Sequence, residues 1–250
     1  MRLLIYTTIL ILAPTLVKAK ELILDMLEFA PVVVPDHPSK GLVGEIVQEA
    51  INKSGYKAKI YFMPARRAIA TAPLEKNTLI VPLARLKERE ADFTWIAPLI
   101  AVDRVFFTTG KTVDSYKKAK STYKAIAVSR GTAGTSILRA QGFTEKQIIE
   151  VNKGESAPSM LLANHADAWF NSVSEGLIVL KSIDTEKRVI KGGVVGVSTH
   201  YLACSKECDA VMVQKLRQTL KAMATDGTLK KIISKHEKFE GIELVPNFED

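Results

Sequence analysis

A strand–helix–strand unit near the start of the chain sets the narrowest limit on its fold. Residues 22–27 are an apolar run that breaks at Glu28-Phe29-Ala30-Pro31, and residues 41–56, GLVGEIVQEAINKSGY, have helical periodicity. A second strand pattern, residues 59–62, then runs straight into Pro64-Ala65-Arg66-Arg67-Ala68. Two strands joined by a helix lie parallel, and open parallel sheets bind ligands in the crevice beyond the carboxyl ends of their strands. The unit predicts half of such a sheet, with arginines at its ligand edge.

The alternation continues along the chain. Residues 78–83, 124–128, 148–151 and 166–170 read as strands. Residues 66–71, 116–120, 135–140, 157–164, 174–180, 209–223 and 228–235 read as helical, with Asp209 and Thr228 as caps. This is an α/β class. The β-rich stretches 102–108 and 194–202 are suited to crossing between two lobes. The end of the chain, from about Gly241, reads as an acidic, proline-containing tail with little helical pattern.

The first residues read as a processing signal. Met1-Arg2 supplies a positive start, residues 3–17 an apolar stretch interrupted by Pro14, and Val17-Lys18-Ala19 the small residues a signal peptidase needs. The stretch is short for a membrane span. No cysteine lies at the cut, so the expected product is an unlipidated protein of the Gram-negative periplasm beginning at Lys20. A hydrophobic content of 47% with 25% charge is ordinary for a globular protein. The formal charge of +8, lowered by two when Arg2 and Lys18 leave, reads as solvated lysines. Export argues against a nucleic-acid partner. In an oxidising compartment, Cys204 and Cys208 of Cys-Ser-Lys-Glu-Cys are expected to pair as a disulfide. Zinc needs more ligands than this segment offers.

No catalytic motif is present: there is no Gly-x-Ser-x-Gly, phosphate-binding Gly-x-x-x-x-Gly-Lys or His-Glu-x-x-His. The histidines His37, His165, His200 and His236 are far apart and read as solvated or structural. Glu88 and Glu90 sit among cations and read as a solvated face. No cofactor and no metal is expected. The arginines Arg66, Arg67, Arg85, Arg89 and Arg130 all fall at strand ends or the turns after them. There a guanidinium can hold a carboxylate through two parallel hydrogen bonds, so the group predicts an anion site.

The order of these segments, from about Glu21 to His236, resembles the family 3 extracellular solute-binding proteins, the polar amino-acid receptors of ABC importers. Leu86-Lys87-Glu88-Arg89 before Phe93-Thr94 resembles the family's Thr-x-x-Arg and Phe-Ser segment, which implies that Arg89 grips a ligand carboxylate. Arg85 is a second candidate for that role. Phe29-Ala30-Pro31 is similar to a Tyr-Ala-Pro whose ring stacks on the ligand, Arg67-Ala68 to an Arg-Ala at a helix start, and Gly131-Thr132 to a Gly-Thr in the second lobe.

Two departures stand out. Hydroxyl residues expected before the arginine are replaced by Val81-Pro82-Leu83-Ala84, and the aspartate that pairs an α-ammonium is replaced by Ser172, beside Asn171. The ligand therefore need not be an amino acid, and Asn171 and Glu175 are the substitutes for that aspartate. The resemblance implies a two-lobed periplasmic binding protein (type II) fold with a hinge. Residues 20–107 plus 199–250 make the first lobe and 108–198 the second. It also implies a monomer that captures a small carboxylate-bearing solute for an inner-membrane ABC permease. The fold is similar, too, to periplasmic cyclohexadienyl dehydratases and to ligand-sensing receptor domains.

Overall fold

The computed structural model describes residues 20–152, 154, 156–245 and 248–249. The expected export signal lies outside them. Among the described residues the strands join into one nine-stranded sheet in the order β2-β1-β3-β8-β4-β7-β5-β6, with β9 added on β4.

The opening unit folds as β1 (Lys20–Leu27), α1 (Gly41–Lys53) and β2 (Tyr56–Met63), with the strands parallel. On β1, Leu22, Leu24 and Met26 meet Leu42, Val43, Ile46, Val47, Ala50 and Ile51, the buried stripe of α1. Entry into α1 needs a glycine. Gly41 has φ +83°, and a Cβ there would stand 2.5 Å from the Val32 carbonyl oxygen. The short helix α2 (Ala65–Thr71) follows, then β3 (Thr78–Ala84), buried throughout and parallel to β1. Pro82 cannot donate to a ladder, and a register shift against β8 between Ile80 and Leu83 accommodates it.

The crossings are longer than the sequence pattern indicates. β4 (Phe93–Thr108) and β8 (Ile190–Ser205) each run 16 residues and pair antiparallel along most of that length. Packing changes hands within them: Val102 belongs to the core under α1, whereas Val105, Phe106 and Phe107 belong to cores of the second lobe. That lobe contains α3 (Tyr116–Thr122), β5 (Ile126–Ser129), α4 (Ala133–Ala140), β6 (Ile148–Val151), α5 (Ser156–Leu162), β7 (Ala168–Ser172) and α6 (Val173–Ile183). Its cores are aromatic, with Phe106 on Phe170 at 4.9 Å and Phe107 on Trp169 at 5.1 Å between ring centroids.

The chain ends on the first lobe with α7 (Ala210–Thr225), α8 (Thr228–Ile233) and β9 (Ile242–Leu244). Asp209 caps α7 by accepting from the Val211 and Met212 amides. Thr228 is not the cap of α8: Gly227, at φ 88°, holds that position, and Asp226 accepts from the Thr228 amide. The acidic, proline-containing end of the chain, read as having little helical pattern, contributes β9, which pairs with Ile100, Ala101 and Val102. Cys204 and Cys208 are joined, with Cα atoms 6.1 Å apart. Among the described residues no helix is long and apolar enough to cross a membrane, and no cluster of metal-ligating side chains occurs.

Candidate functional site

The parallel strands β1, β2 and β3 end on one side of a cleft, and the turn after β5 with the end of β7 closes the other. The cavity between them is about 380 Å³, the size of a small solute, and is lined by both lobes. Among the expected site residues, Phe29, Arg89, Gly131, Thr132 and Asn171 line it.

Arg89 ends a 3-10 turn, Lys87–Arg89, that folds it back under β3. It is 7% exposed, and its Nη1 donates to the Ala84 carbonyl at 3.1 Å. Burial pushes its pKa down, with Glu88 opposing. No carboxylate among the described residues forms an ion pair with it. Phe29 stacks on the His200 imidazole, centroids 5.2 Å apart and rings 7° from parallel. Across the cleft, Thr132 caps α4, accepting from the Gly134 amide and donating to the Ser129 carbonyl. This aims the start of α4 at the cavity, where Gly131, Thr132 and Ala133 are wall residues.

Three expectations are corrected. Arg85 lies outside the cleft, on the far face of the β3–β8 ladder. Its Nε donates to Glu90 at 2.9 Å, and its guanidinium lies over the rings of Trp95 and Tyr201. Glu90 and Tyr201, as hydrogen-bond acceptors, raise its pKa. Arg67 is exposed and is not a wall residue; its neighbour Arg66 is, so the pair is offset by one position. Ser172 is fully buried and does a local job, capping α6 by accepting from the Glu175 amide. Glu175, one turn into α6, and Glu28 at the end of β1 bring the acidic groups to the cavity wall.

Arg104 and His200 are the site residues that the sequence reading missed. They lie 96 positions apart, and the β4–β8 pairing brings them together. The signal for Arg104 was its position: an arginine beside Asp103 within a β-rich run of mostly apolar residues. Arg104 Nε donates to Ser198 Oγ at 2.9 Å, and its Nη2 lies 3.2 Å from His200 Nε2. Burial, Arg104 and Arg89 together push the His200 pKa well below the usual imidazole range, with the Pro82 backbone opposing. The ring is neutral.

The lobes also touch directly. Ser136 on α4 donates to Glu88 at 2.6 Å, and Gly131, at φ +76°, packs so closely that a Cβ would lie 3.0 Å from Arg66 Cβ.

No protein-family model and no curated protein matches the sequence, but solved structures match the fold. The arginine-binding protein of T. maritima, as its P235GK mutant, aligns with a TM-score of 0.69 at 18% identity, over 86% of this chain and 94% of that one. The fold is that of a two-lobed, type II periplasmic binding protein. EhuB in complex with hydroxyectoine aligns with a TM-score of 0.74 at 17% identity, over 88% of this chain and 89% of that one. A histidine kinase sensor domain with similarity to periplasmic binding proteins aligns with a TM-score of 0.75 at 11% identity, over 88% and 97%.

Proposed function

We infer that this protein is an exported receptor that captures a small carboxylate-bearing solute between its lobes and delivers it to an inner-membrane ABC permease. The observation that carries this reading is Arg89, buried at the cleft with, among the described residues, a backbone acceptor and no carboxylate partner. A buried cation is costly unless paired, and an anion entering the cleft supplies the pair. Phe29 and His200 give a flat apolar floor beside it, and the start of α4 adds amide donors from the opposite lobe. Structures of this fold bound to arginine, histidine and hydroxyectoine support solute capture as the general role. The contacts between Ser136 and Glu88 and between Gly131 and Arg66 suit lobes that close on what they bind. No catalytic step is assigned, and the protein acts as a monomer.

The test is native mass spectrometry of protein purified from periplasm, followed by calorimetric titration of whatever acid is released. A carboxylic acid that binds the wild-type protein and fails to bind Arg89→Ala supports the reading. A neutral or cationic ligand overturns it. A kinase sensor domain aligns as well as the transport receptors do, so docking on a receptor is the second reading. Co-purification with a permease, against co-purification with a kinase, separates the two.

A further inference from the structure

The cleft holds a second buried guanidinium that one ligand carboxylate on Arg89 does not account for. Arg104 is 5% exposed and reaches the cavity from the middle of β4. Its bonds to Ser198 Oγ and His200 Nε2 leave most of the five N–H donors of a guanidinium unused. Burial pushes its pKa down, and Glu175 opposes that from α6. Yet no carboxylate among the described residues forms an ion pair with Arg104. His200 is neutral and offers it only a ring nitrogen.

The two cations adjoin the same imidazole. Ala84, whose carbonyl accepts from Arg89, is the register partner of His200 across β3 and β8, while Arg104 meets the His200 ring itself. Phe29 covers a face of that ring. The cavity wall therefore presents two buried guanidinium groups beside one flat, uncharged stack. A single carboxylate shared by both would leave the second charge opposed by Glu175 on the cavity wall but with no ion pair among the described residues.

We propose that the ligand is a small dianionic acid, with one acidic group on Arg89, a second on Arg104, and its carbon skeleton against the Phe29–His200 stack. This rests on the carboxylate-capture reading and narrows it to a substrate class. Arg104, Ser198 and His200 together form the second anion subsite, at the strands that connect the lobes.

The test uses acids of equal size that differ by one charge. L-Aspartate, L-glutamate, succinate and glutarate are each titrated calorimetrically into the purified protein beside the matching monoamide. At least one diacid is expected to bind roughly 30-fold or more tighter than its monoamide, the scale of a buried charge pair. Arg104→Gln is expected to bring that ratio to within about threefold, whereas Arg89→Gln weakens diacid and monoamide together. If Arg104→Gln does not fold, Arg104→Lys and Ser198→Ala take its place, and each narrows the ratio. Equal binding of diacid and monoamide, or a ratio that survives these variants, overturns the second subsite and leaves carboxylate capture standing. Failure of every acid and monoamide to bind overturns the dianionic proposal, while carboxylate capture stands or falls with the acid released from protein purified from periplasm.

Discussion

Arg85 and Arg89 leave the same end of β3 four positions apart and meet opposite surroundings. Arg85 turns to the outer face, where Glu90 receives it and the Trp95 and Tyr201 rings flank it. Arg89 turns inward, where burial is nearly complete and a backbone carbonyl is its hydrogen-bond partner. The first arginine has its anion within the fold. The second has the energetic character of a group waiting for one, and that difference separates a structural cation from a binding one where sequence spacing does not.

The sharpest way to break the comparison is to truncate both. Arg89→Ala is expected to weaken ligand binding by about 2–5 kcal/mol with folding nearly intact, as truncation of a buried charge contact does. Calorimetric titration beside thermal unfolding measures both effects. Unchanged affinity would place Arg89 among the structural arginines.

Asp25 sharpens the contrast from the opposite sign of charge. It lies on β1 on the same face as Leu27, buried, and desolvation with the nearby Glu75 raises its pKa from 3.8 to about 6. The folded protein therefore holds this proton more tightly than the unfolded chain does. Its carboxyl costs nothing below about pH 4, and the cost grows as pH rises through the interval up to about 6. Asp25→Asn is expected to remove a stability loss of about 2–3 kcal/mol between pH 4 and pH 7. Denaturant unfolding at the two pH values tests it, and an unchanged slope would show that Asp25 is solvated after all.

A smaller effect is expected from Arg85→Ala: about 1 kcal/mol of stability, from a half-exposed ion pair and its ring contacts, with ligand affinity unchanged. A large loss of binding would erase the distinction between the two faces. The smallest belongs to Ser136→Ala, which removes the hydrogen bond to Glu88 between the lobes. An affinity loss of about 0.5–1 kcal/mol is expected, read as faster ligand release with the association rate nearly constant.

The sequence shows the architecture better than it shows the site, and the reason is range. β1, α1 and β2 are legible because their periodicity is local and each buries a stripe that the residues spell out. β9 is not legible: three residues gain strand character only by lying along Ile100–Val102, far earlier in the chain. Gly227 was hidden as a cap because Thr228 beside it is the commoner capping residue, while the turn demands positive φ. Arg66 and Arg67 could not be told apart without knowing how Pro64 starts α2. Arg104 stands opposite Gly196 and His200 opposite Ile100, so their side chains meet diagonally across a ladder joining distant segments, and no spacing rule reaches across it.

The two long strands have a consequence for how the molecule comes apart. With an aliphatic core in one lobe and an aromatic core in the other, melting in two steps would be the ordinary expectation. But β4 and β8 belong to both, and the two strands stay paired through the region where the cores meet, with register shifts on either side of Val105. Losing the second lobe would leave half of each strand unpaired beside an intact sheet, exposing backbone groups that the first lobe cannot cover. The lobes therefore share one fate on heating. The strands that connect the lobes are thus expected to make the chain unfold as a single cooperative body.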